Sequence, residues 1–137
     1  MHDTPTLTFA FMDPPFESER TVTFFRLLEA ALEKGASVRV FAYEGAVALA
    51  FARQAPHGNA VHGRDAEEEA HPLSKDWIAT LQQKARQKEV RFEWINCGLC
   101  VDERGVNEVI EGCGRGGPPD LWRYAETAFN TLTIGTR

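Results

Sequence analysis

The segment Thr6–Met12 reads Thr-Leu-Thr-Phe-Ala-Phe-Met, a short apolar run with two aromatic rings and no charge. Such a run suits a strand buried on both faces, and that places helices on either side of its sheet. Asp13-Pro14-Pro15 ends it, because consecutive prolines neither continue a ladder nor enter a helix interior. Ser18 is then a candidate helix cap with Glu19 in the first turn. Val22, Phe25, Leu28, Ala31 and Leu32 recur at helical spacing until Lys34-Gly35 supplies a stop. Ser37–Tyr43 predicts a second strand, and Glu44-Gly45 a turn. Ala46–Arg53 predicts a short helix, and the polar stretch from Gln54 to Ala70 a surface loop.

Pro72 and Ser74 open another helix, with Trp77, Leu81 and Ala85 at three-to-four spacing, running to about Lys88. Val90–Asn96 predicts a third strand, followed at once by Cys97-Gly98-Leu99-Cys100. Val101–Arg104 reads as helical, with Gly105 ending the turn. Gly112–Pro119 holds four glycines and two prolines and reads as a loop. Asp120 is expected to cap a helix through Leu121, Trp122, Ala125 and Ala128, and Thr131–Thr136 to form the last strand. Strands alternating with helices predict an α/β sandwich around a mostly parallel sheet. Four strands are evident, and a fifth is expected near Val106–Ile110. Trp77, Trp94 and Trp122 are all expected in the core.

Composition narrows the function. A chain of 137 residues fits one domain, residues 1–137. With 15 basic and 20 acidic residues the net charge is −5, which supplies no footprint for nucleic acid. No uncharged apolar run approaches the ~20 residues of a membrane span. The start, Met1-His2-Asp3-Thr4-Pro5, has no basic region and no apolar signal core, so the expected location is the cytoplasm and the thiols are expected to be reduced.

Chemistry concentrates at the cysteines. In open parallel sheets the reactive crevice lies beyond the carboxyl ends of the strands, where Cys97 stands. A helical turn after it favours a thiolate, and the three-residue spacing puts Cys97 and Cys100 on one face of that turn. Cys97 is therefore the expected nucleophile, with Cys100 the thiol of higher pKa. A zinc reading would add His57, His62 and His71 to the pair. Only one such pair exists, and exposed loop histidines explain the cluster more simply, so no metal is expected. A thioredoxin-type reading fits less well, because that motif opens a long helix after an early strand. Cys113, within Gly112-Cys113-Gly114-Arg115-Gly116-Gly117, matches neither the P-loop nor the dinucleotide fingerprint. It reads as part of a flexible connection, and no cofactor is expected.

Three stretches together resemble the DsrE/DsrF-like (TusD-like) family of sulfurtransferases and sulfur carriers. They are Phe25-Arg26-Leu27-Leu28-Glu29-Ala30-Ala31-Leu32-Glu33-Lys34-Gly35, the strand and turn Val38–Val47, and Cys97-Gly98-Leu99-Cys100-Val101-Asp102-Glu103-Arg104-Gly105. In that family the sulfur-carrying cysteine ends a strand, with Arg-Gly seven and eight residues later, as Arg104-Gly105 stand here. The resemblance covers most of the chain but not the stretch between about Leu49 and Pro72. It implies a flavodoxin-like three-layer sandwich of about five strands, persulfide formation on Cys97, sulfur donors and acceptors as partners, and a homo-oligomer, trimer or hexamer. Phe9, Phe11 and Phe51 add apolar surface beyond the needs of one core. Cys100 departs from the family pattern. It is a candidate second catalytic thiol, able to resolve a persulfide on Cys97. The other reading open at this point is a non-catalytic module that uses the scaffold to bind partners.

Overall fold

The computed structural model describes residues 4–135. Met1–Asp3 and the last two residues, Thr136, expected to end the final strand, and Arg137, lie outside the described residues. The described residues form five strands and five helices: β1 (Thr6–Phe11), α1 (Arg20–Glu33), β2 (Ser37–Ala42), α2 (Ala66–Glu69), α3 (Ser74–Gln87), β3 (Phe92–Cys97), α4 (Gly98–Arg104), β4 (Cys113–Gly116), α5 (Pro118–Glu126) and β5 (Asn130–Ile134). Two 3-10 segments, Glu44–Ala50 and Ala60–His62, lie between β2 and α2. The sheet is ordered β4-β3-β2-β1-β5 and every pairing is parallel.

The apolar periodicity becomes two cores. On one face Phe9 and Phe11 of β1, Val38 and Val40 of β2 and Trp94 of β3 pack under Phe24, Phe25, Leu28, Ile78 and Leu81 of α1 and α3. Phe11 and Phe24 stack with ring centroids 4.2 Å apart. On the other face Phe41, Val47, Cys97 and Val101 form a smaller cluster, closed by Ile95, Cys100, Val106 and Leu121. Successive side chains of a strand point to opposite faces. Phe9 and Phe11 thus serve the large core, while Thr8 turns to α5 and donates its hydroxyl to the Tyr124 carbonyl at 3.0 Å. These layers, helices–sheet–helices, are the sandwich expected from the alternation.

Several local expectations are corrected. The fifth strand is not at Val106–Ile110, which contributes only an isolated antiparallel bridge from Val109 to Phe51. It is Cys113–Gly116, inside the stretch read as a loop. Its glycines permit close approach: a Cβ on Gly116 would meet the Asp120 carboxylate and stand 2.8 Å from Ile95 Cγ2. Asp120 is not the residue that starts α5, which begins at Pro118. Its carboxylate instead accepts the Gly117 N–H at 2.9 Å. Ser18 stands one residue before the N-cap Glu19, and its hydroxyl oxygen accepts the Arg20 N–H at 3.2 Å where α1 starts. Its hydroxyl donates to Asp13 at 2.6 Å, bracing that buried carboxylate.

The polar stretch 54–70 is partly ordered, because Asp65 and Glu68 cap α2 reciprocally. Trp122 is 72% exposed and not in the core, whereas Trp94 is buried and Trp77 stacks on Phe25. Phe9 and Phe11 are spent in the monomer's own core and offer nothing to an interface.

Candidate active site

β3 delivers Cys97 to the carboxyl end of the sheet, and the chain turns directly into α4. Cys97 is both the last residue of β3 and the residue before the first helical turn, with φ −64° and ψ 120°. Its side chain sits in the smaller core beside Phe41 and Val101, nearly buried. The site lies at the strand ends, as expected for an open parallel sheet. It is on β3, two strands from the place between β1 and β5 where the strand order reverses.

Cys100 lies in the same turn, half-buried, and both thiols are free. Its sulfur accepts a hydrogen bond from the Glu44 N–H at 3.2 Å. Burial pushes the Cys100 thiol up, the adjoining Cys97 adds to this, and the Glu44 N–H opposes it. Glu44 occupies the left-handed region at φ +52°. For a non-glycine residue that is backbone strain, of the kind that collects at functional sites. The bend takes the chain from β2 across to α4. There the Glu44 carboxylate meets Arg104 at 3.2 Å, and Arg104 donates to the Cys100 carbonyl at 3.4 Å. Arg104 thus braces the turn. A cleft of about 400 Å³ opens beside it, lined by Met12, Pro14, Glu17, Glu44, Gly45 and Arg104.

The cation beside the start of α4 is one the sequence did not reveal. Parallel register sets Arg115 opposite Asn96 and Gly116 opposite Cys97. The Arg115 guanidinium lies along α4, with Nε 2.7 Å from where a Cβ on Gly98 would stand. Its Nη1 and Nη2 donate to the two carboxylate oxygens of Asp102 at 2.9 and 2.5 Å. Gly98 and Asp102 are four apart, hence on one helix face. This guanidinium holds the Asp102 carboxyl below the usual carboxylate range. Arg115 is itself raised, by Asp102 first and by the nearby Cys97 last. The signal that could have found it is the alternation Gly114-Arg115-Gly116, one long side chain on an otherwise bare edge.

The remaining candidates lie elsewhere. Cys113 starts β4 opposite Trp94 and packs against the larger core, on the other face from Cys97. Burial pushes its thiol up to about 12. His57 and His71 face each other with their Nε2 atoms 3.1 Å apart, and His62 lines a surface hollow with Asn59, Arg64 and Glu69. None joins the cysteines. Among the described residues no three His, Cys, Asp or Glu side chains converge as a metal site. No helix among them is long and apolar enough to cross a membrane.

A helix-flanked, all-parallel sheet with a thiol pair at one strand end defines the class, an α/β protein with two free cysteines at the carboxyl edge of its sheet. The chain belongs to the DsrE/DsrF-like family, whose family model matches residues 6–134. Membership implies a role in sulfur relay at the level of the family. Among solved structures it is similar to the ychN protein of E. coli, with TM-score 0.69, 18% identity, and coverage of 96% of this chain and 100% of that one. It is also similar to BT1422, a conserved protein of unknown function from Bacteroides thetaiotaomicron. There the TM-score is 0.58 at 12% identity, with 95% of each chain covered. Both likenesses concern the fold. No curated protein matches the chain in sequence.

Proposed function

We propose that the protein is a cysteine-persulfide sulfurtransferase or sulfur carrier, with Cys97 as the nucleophile and Cys100 as a resolving thiol. The observation that carries this reading is the pair itself: both cysteines stand where β3 turns into α4, and the Arg115 guanidinium lies against Gly98, the residue after Cys97. In loading, the Cys97 thiolate attacks the outer sulfur of a donor persulfide. The donor's S–S bond breaks and the donor leaves as a thiolate with that electron pair, leaving a persulfide on Cys97. Attack by an acceptor thiolate on the outer sulfur passes it on and regenerates Cys97. No net oxidant is consumed.

Cys100 opens a second exit. Its thiolate can attack the inner sulfur, Cys97 Sγ, expelling hydrosulfide and closing a Cys97–Cys100 disulfide, which a dithiol reductant then reopens. A thiol raised by burial is mostly protonated at neutral pH, so this exit is slow and delivery to a partner is favoured. The donors and acceptors would be small sulfur compounds or other proteins of a cytoplasmic relay. The test is intact-mass measurement after incubation with polysulfide or thiosulfate. A gain of about 32 Da, one sulfur, that disappears in Cys97→Ser supports the assignment. Equal loading of that variant defeats it.

A homo-oligomer is part of the proposal. Leu99 on α4, Trp122 on α5 and Phe129 ahead of β5 are 73%, 72% and 82% exposed. Apolar side chains of this size are what a subunit interface covers. Sedimentation showing only a species of 15.3 kDa at micromolar concentration would rule it out.

A further inference from the structure

Arg115 has two donor edges and uses one. A guanidinium carries five N–H donors in a planar fork. The Nη1 and Nη2 ends bind Asp102 end-on, and among the described residues the side chain makes no other hydrogen bond. That leaves the Nε–Nη2 side, a second bidentate edge suited to an oxyanion. This is the side that faces Gly98: a Cβ there would stand 2.7 Å from Nε and 3.1 Å from Nη2. Gly98 follows Cys97 directly, so its missing side chain is what lets the guanidinium lie against the residue next to the thiol. Arg104, the other cation of the turn, is flanked by two carboxylates, Glu44 at 3.2 Å and Glu103 at 3.7 Å, whose charges oppose an anion beside it.

We propose that Arg115 is the anion-binding residue of the Cys97 site, its Nε–Nη2 edge holding the sulfonate oxygens of a thiosulfate-type donor while Asp102 pins the opposite edge. The proposal rests on the persulfide reading above and names its substrate class. With a net charge of −5 the chain repels a dianion at long range, so a local, oriented donor pair is what brings one to the thiolate. In the step, the Cys97 thiolate attacks the outer sulfane sulfur of thiosulfate. The S–S bond breaks, sulfite departs with its electron pair, and Cys97 is left as a persulfide anion. Three negative charges enter and three leave, with no oxidant or reductant required. Arg115 grips the oxygens of the donor before the step and those of sulfite after it.

The experiment compares wild type, Arg115→Gln and Arg115→Lys by loading rate with thiosulfate and with inorganic polysulfide, which has no oxygens. Loss of a charge-assisted bidentate contact corresponds to roughly a ten- to hundredfold effect. The expected result is a rise of that size in the thiosulfate KM for Arg115→Gln, with polysulfide loading within about threefold of wild type. Arg115→Lys should recover only part of it, because an ammonium restores charge without the fork. Equal losses with both donors, or no loss with either, overturn the proposal. A separate titration with sulfite, followed through the Gly98 amide resonance, does not depend on loading. Saturable binding in wild type that is lost in Arg115→Gln supports the anion site even if no persulfide forms. Absence of binding in wild type overturns it even if one does.

Discussion

Asn96 is the residue whose removal should most clearly separate the scaffold of the site from its chemistry. It is 1% exposed and stands immediately before Cys97. Its Oδ1 accepts the Trp94 indole N–H at 2.9 Å, and its Nδ2 donates to the Val47 carbonyl at 3.3 Å. The second bond ties β3 to the 3-10 segment that begins at Glu44, and so helps to fix the backbone above Cys100. In Asn96→Ala the indole N–H is stranded in an apolar core, at about 1–3 kcal/mol, and losing the longer bond to Val47 adds about 1 kcal/mol. The sum is about 2–4 kcal/mol. With a urea m-value of about 2 kcal/mol/M, the unfolding midpoint should fall by about 1–2 M. The control is the same substitution in a Trp94→Phe background, where no indole N–H remains to be stranded. There the cost of Asn96→Ala should shrink by the indole share, a coupling of about 1–3 kcal/mol. Strictly additive single and double variants, or a midpoint shift below about 0.3 M, would refute the reasoning.

Three further outcomes are expected. Gly98→Ala should stay folded with a midpoint near wild type, since the methyl meets only the far end of the long Arg115 side chain, away from any backbone, and alanine is the better helix former by up to ~1 kcal/mol. Its thiosulfate loading should nevertheless fall as in Arg115→Gln, checked by the same two-donor assay. Cys100→Ser should lengthen the lifetime of the Cys97 persulfide, read by mass spectrometry over time, whereas Cys113→Ser should leave it unchanged. Cys113, held up to about 12 by burial, should resist alkylation in the folded protein at pH 9 and label on denaturation. Its folded pKa lies above the unfolded value of about 8.5, so its contribution to stability is intact below that pH and declines as pH rises from there towards 12. Urea midpoints at pH 8 and pH 10, compared between wild type and Cys113→Ser, measure that decline.

The parts of the fold that could be read from sequence are those whose pattern is set by their own burial. β1 is buried along most of its length, so it reads as apolar throughout, and α1 and α3 present Phe25, Leu28, Leu32, Ile78 and Leu81 at helical spacing to one core. Cys97 was legible for the same reason: a recognisable strand ends there, and strand ends of a parallel sheet are where ligands meet it. Trp122 was misplaced because helical spacing on α5 fits several faces, and only Tyr124 of that helix is buried. The α2 region was missed because its capping box stabilises four residues that touch no core.

β4 failed to announce itself for a more instructive reason. Cys-Gly-Arg-Gly has no β-branched or aromatic residue, and glycine weakens a strand that must stand on its own propensity. This strand does not. It is an edge, paired residue by residue with β3, and Gly116 admits the Ile95 side chain and the Asp120 carboxylate where a Cβ would exclude them. The same close fit brings the Arg115 backbone beside that of Asn96, one residue from Cys97. From there the side chain reaches across Gly98, another position without a Cβ, to Asp102. In both segments glycine reads as flexibility along the chain and acts as proximity in the fold. The cation of the site is therefore set by register between two strands sixteen or more residues apart in sequence, which no local pattern encodes. Gly116→Val tests this directly: the bulk should prise β4 from β3, lower stability, and release Arg115 from Cys97. The expected sign is a thiosulfate-loading defect like that of Arg115→Gln together with a lowered urea midpoint, and a variant that keeps both at wild-type values would show that the edge pairing does not position the guanidinium.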